Sequence, residues 1–68
     1  MTVAKGETVR FDVTSDIAEE VHVHGYDILQ EVGPDAPAHF RFSADLEGIF
    51  EVELEGVGEE ILEVRVEP

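Results

Sequence analysis

The chain has no cysteine, no tryptophan and one methionine, and it sets one lysine and three arginines against seventeen acids. Each shortage closes something off. Without thiols there is no disulfide, no zinc finger, no thiol redox chemistry and no thiolate copper centre. Without a basic surface, phosphate backbones are poor partners, so nucleic acid is not expected. No apolar run reaches transmembrane length, and the start, Met1-Thr2-Val3-Ala4-Lys5, carries no signal-peptide apolar stretch. No membrane insertion by this chain is therefore expected. There is no nucleophile-elbow pattern and no phosphate loop, and the chain does not read as an enzyme.

What remains is one small domain, residues 1–68, with no internal repeat or linker. A core of this size supplies about 3–5 kcal/mol of net stability. Further stability has to come from a metal, a partner subunit or unusually good packing. The net charge of −13 is spread rather than blocked. Acids alternate with apolar residues, as in Glu51-Val52-Glu53-Leu54-Glu55, which makes a solvated strand face that attracts cations.

That alternation runs through the chain. Val9, Phe11 and Val13 alternate with Thr8, Arg10, Asp12 and Thr14; Phe40 and Phe42 with His39, Arg41 and Ser43. Phe50, Val52 and Leu54 alternate with glutamates, and Leu62, Val64 and Val66 with Glu63, Arg65 and Glu67. Each segment reads as a half-buried strand, with the four phenylalanines in the core. Turn signals at Lys5-Gly6-Glu7, Gly33–Pro37, Glu47-Gly48 and Gly56–Gly58 separate them. A short strand at Thr2–Ala4 and another at about Glu20–His24 complete the pattern. Tyr26–Val32 reads as an irregular or short strand, and Ser15–Glu20 as a loop or one helical turn capped by Ser15 or Asp16. Six or seven short strands at this spacing predict an all-β fold, an antiparallel β-sandwich.

The segment richest in chemistry is Val21-His22-Val23-His24-Gly25-Tyr26-Asp27. On a strand, positions two apart share a face, so His22 and His24 project together and the valines project oppositely. Paired imidazoles chelate transition metals; with a carboxylate, or across two chains, they suit copper(II) or zinc. The competing reading is an ordinary strand whose polar side is histidine. Tyr26 reads as a rim aromatic with its hydroxyl in water, and Asp27 as a turn acid; either is a candidate supporting group for a site. His39, between Ala38 and Phe40, reads as a solvated strand residue and is the remaining candidate for a further imidazole ligand.

The order of Val3–Phe11, His24-Gly25-Tyr26, Phe40–Asp45 and Gly48–Val52 resembles the cupredoxin family, and closest are cupredoxin-like domains of bacterial exported proteins. The resemblance implies a small Greek-key β-sandwich and an extracytoplasmic or periplasmic location. It covers nearly the whole chain but starts about one strand late, as though an N-terminal strand were missing. The family's ligands are mostly missing too. Its cysteine position falls at Leu54, its second histidine between Val57 and Glu59, and no methionine follows Met1; only His24 has a counterpart. His22–Gly25 also resembles the His-x-His-Gly element of multicopper oxidases, but their cluster needs several such elements. The resemblance thus implies a non-catalytic binding or structural module without a blue-copper centre. The alternative is a small metal-binding protein using His22 and His24. An uncovered sheet edge would favour a homodimer.

Overall fold

The computed structural model describes all residues, Met1–Pro68, and is all-β. Seven strands follow one another: β1 Thr2–Ala4, β2 Thr8–Val13, β3 Glu19–Val23, β4 Ile28–Val32, β5 Ala38–Ser43, β6 Gly48–Leu54 and β7 Glu59–Glu67. They form a five-stranded sheet in the order β1-β7-β6-β3-β4 and a two-stranded sheet of β2 and β5.

The alternating residues explain the strands. In β2 and β5 the pairs Val9–Phe42 and Phe11–Phe40 stand opposite one another, and Arg10 faces Arg41. In β3, Val21 and Val23 are fully buried while His22 between them is not. Ten residues form the buried core, and seven of them are valines, the side chain that fits a pleated surface best. Phe40 is the only aromatic among the ten; Phe11, Phe42, Phe50 and Tyr26 pack around them.

One expectation needs correcting. The sandwich is not wholly antiparallel, because β1 pairs with β7 in parallel, Val3 against Val66. Parallel neighbours need a long connection, and here the rest of the chain is that connection. The segment Ser15–Glu20 forms no helix: the Ser15 hydroxyl turns back on Ile17, donating to its carbonyl at 2.7 Å and accepting its N–H at 3.2 Å. β3 lies one residue earlier than expected, so His24 falls just outside it. Its N–H nevertheless donates to the Glu51 carbonyl at 2.9 Å, which keeps the ring over the sheet.

Tyr26 also differs from expectation. Its hydroxyl is tied to the backbone rather than left to solvent alone: it donates to the Leu46 carbonyl at 2.9 Å and accepts the Leu46 N–H at 3.0 Å. Its ring packs against Phe42 and Phe50. Tyr26 thus latches the loop between β5 and β6 to the β3–β4 turn. Gly25 sits in that turn with φ +89°, and a side chain there would run into the Phe50 ring.

Candidate metal centre

β3 lies between β4 and β6, with His22 opposite Glu53 on β6 and Val23 opposite Val52. The valines therefore enter the core and the histidines stand on the outer face of the large sheet. Their rings lie 4.3 Å apart between centroids. Glu53 and Glu55 reach the same face from β6 and the turn beyond it.

The contacts run diagonally. His22 Nδ1 lies 2.6 Å from Glu55 Oε1, and His24 Nε2 lies 2.8 Å from Glu53 Oε1. His22 Nε2 stands 3.8 Å from Asp27 Oδ1, too far for a hydrogen bond. Asp27 is a turn residue with φ 56°, as its place in the sequence suggests.

Donor atoms of His22, His24 and Glu55 all lie within 4.8 Å of one another. Nitrogen and oxygen donors at about 2.1 Å from one ion sit about 3–3.5 Å apart, so small side-chain rotations close this group around a metal. His22 Nδ1 and His24 Nε2 are both covered from solvent, and neither makes a directed hydrogen bond. The carboxylates are near enough, but they lie off the ring N–H axes. Carboxylates at this distance pair with the protonated rings, and a metal ion would take the place of those protons between the neutral rings and the carboxylates.

The histidines also feel the charge around them. The His24 ring is 44% exposed although its Nε2 is covered. Its pKa is raised from the usual 6.5, mainly by the Glu53 carboxylate at hydrogen-bond distance. Partial desolvation lowers it, and the charges of Glu53, Glu55 and Glu51 add to the rise.

His39 stands elsewhere. It lies on β5, on the small sheet, with Nδ1 2.8 Å from Asp12 Oδ1, and both side chains are largely exposed. The structure does not bring it to the His22–His24 pair. Leu54 packs against the core opposite Val21. It therefore points away from the histidine face. Sequence reasoning left the carboxylate of the site unnamed; the diagonal contact with His22 identifies Glu55, and the register of β3 against β6 sets Glu53 beside it.

Comparison of the chain with protein-family models, with curated proteins and with solved structures gives no match.

Proposed function

We propose that this chain is a non-catalytic, cupredoxin-like β-sandwich module that binds copper(II) or zinc through His22, His24 and Glu55. One observation carries the reading: two imidazole nitrogens, covered and without hydrogen bonds, are drawn up against carboxylates on one sheet face. Two nitrogens and an oxygen suit either metal. The surrounding acids raise the local concentration of cations. The two-sheet architecture and the order of the sequence motifs support the cupredoxin-like part.

This is not a blue-copper site, because the donor set contains no thiolate. The test is a native mass spectrum with and without copper(II), read beside the absorption spectrum. One copper per chain with only weak visible absorption is expected. An intense band near ~600 nm, the signature of thiolate-to-copper charge transfer, would overturn the assignment, as would the absence of bound metal.

The module is further proposed to pair as a homodimer. β2 has β5 on one side and no strand on the other, which leaves an edge open to a second copy. Two chains of −13 repel, so pairing should strengthen as salt screens that charge. Sedimentation across a salt series reads this directly. A monomer at every ionic strength would overturn the dimer and show that the strands close their own core.

A further inference from the structure

Glu55 sits in the β6–β7 turn, outside the strand ladder that sets the direction of Glu53. Its backbone is held from β3. The Glu55 N–H donates to the Glu20 carbonyl at 2.9 Å. The next N–H, that of Gly56, donates to Glu19 Oε1 at 2.7 Å, and the same oxygen accepts the Glu20 N–H at 3.0 Å. One carboxylate oxygen thus ties the start of β3 to the turn that carries Glu55. Gly56 leaves room for it: a methyl there would lie 2.5 Å from Glu19 Oε1 and 2.7 Å from Oε2.

We propose that Glu19 is a positioning residue for the metal centre, a clamp that presents Glu55 to His22 without itself touching the metal. The inference rests on the metal-binding reading above. Glu19 reaches no histidine; it acts through the Gly56 amide. Groups that orient metal ligands typically change affinity by about 10–100-fold when removed.

Three variants separate the clamp from its charge and from general damage. Glu19→Ala removes the acceptor. Glu19→Gln keeps an oxygen that can take both N–H groups but loses the negative charge. Gly56→Ala leaves Glu19 in place and pushes its carboxylate off the amide; Gly56 does not need positive φ, so its backbone accommodates alanine.

In the metal-free protein, hydrogen exchange at the Gly56 amide should quicken about tenfold in Glu19→Ala and in Gly56→Ala, but not in Glu19→Gln. Titration with zinc or copper(II) alone should show affinity falling about tenfold in the first two variants and staying near parental in the third. In a Glu55→Ala background, Glu19→Ala should cost no further affinity, because the clamp has nothing left to present. Equal losses in Glu19→Ala and Glu19→Gln would reduce its role to charge and overturn the proposal. So would a Gly56 amide that exchanges equally fast in the parent and in Glu19→Ala. A parent protein that binds neither metal would instead overturn the metal-binding reading, while the exchange data would still report the clamp.

Discussion

Replacing His22 and His24 together by alanine should abolish copper(II) and zinc binding, and with it the rise in melting temperature that either metal gives the parent protein. A ligand that binds only the folded chain stabilises it by about 2.7 kcal/mol at a hundred times its Kd. In a domain this small, each kcal/mol moves the melting temperature by about 4–8 °C. A gain of about 10–20 °C is therefore expected for the parent and none for the double variant. The gain should also depend on pH. Folding raises the His24 pKa above its unfolded value near 6.5. Without metal, the stability contributed by protonated His24 is whole below about 6.5 and is lost as pH rises through the higher folded value. Metal requires the neutral ring, so its contribution runs the other way, small in acid and full once pH exceeds the folded pKa. Melting curves with and without zinc on both sides of neutrality measure both trends. A metal gain that persists in the double variant, or that does not grow with pH, would sink the assignment.

Phe40→Ala should leave the chain largely unfolded at room temperature. Phe40 is 2% exposed, the only aromatic of the ten core residues, and it stacks on Phe11 with centroids 4.7 Å apart. Truncating a buried phenylalanine to alanine costs about 3–5 kcal/mol. That is about all that a core of this size supplies. The neighbouring valines cannot collapse into the space, because β-branched side chains on paired strands have few alternative rotamers. Leu29→Ala, on an exposed position of β4, should change little. Urea unfolding followed by circular dichroism compares the two. A Phe40→Ala protein with the parental midpoint would mean that the valines sustain the core without the ring.

The strands were legible because their signal is local. β1 spans the expected Thr2–Ala4, and the valines and histidines of β3 divide between core and surface as a two-residue period demands. β4 was harder to read, since Ile28-Leu29-Gln30-Glu31-Val32 breaks strict alternation. The parallel pairing of β1 with β7 left no trace, because no sequence period records which distant strands become neighbours. Glu55 was hidden for the same reason. Many glutamates share its local pattern; the β3–β6 register sets Glu53 opposite His22, and only the turn that follows β6 brings Glu55 diagonally against the His22 ring. His39 could be assigned no ligand role from sequence beyond that of a spare imidazole, and the β2–β5 register puts Asp12 beside it. The Tyr26 latch was missed because its partner is a backbone group, which carries no sequence signature.

The parallel seam between β1 and β7 bears on how the chain must be made. Thr2 meets Arg65, about sixty residues later. On a translating ribosome, the first strand leaves the exit tunnel long before its partner has been synthesised. Until then Val3 has no cover and the backbone groups of β1 have no ladder. Contacts of such separation also slow folding, because the loop they close must lose its entropy before they form. The large sheet thus gains its β1 edge only as the far end of β7 emerges, and a nascent chain stalled before that point would present a four-stranded sheet with β7 as its raw edge.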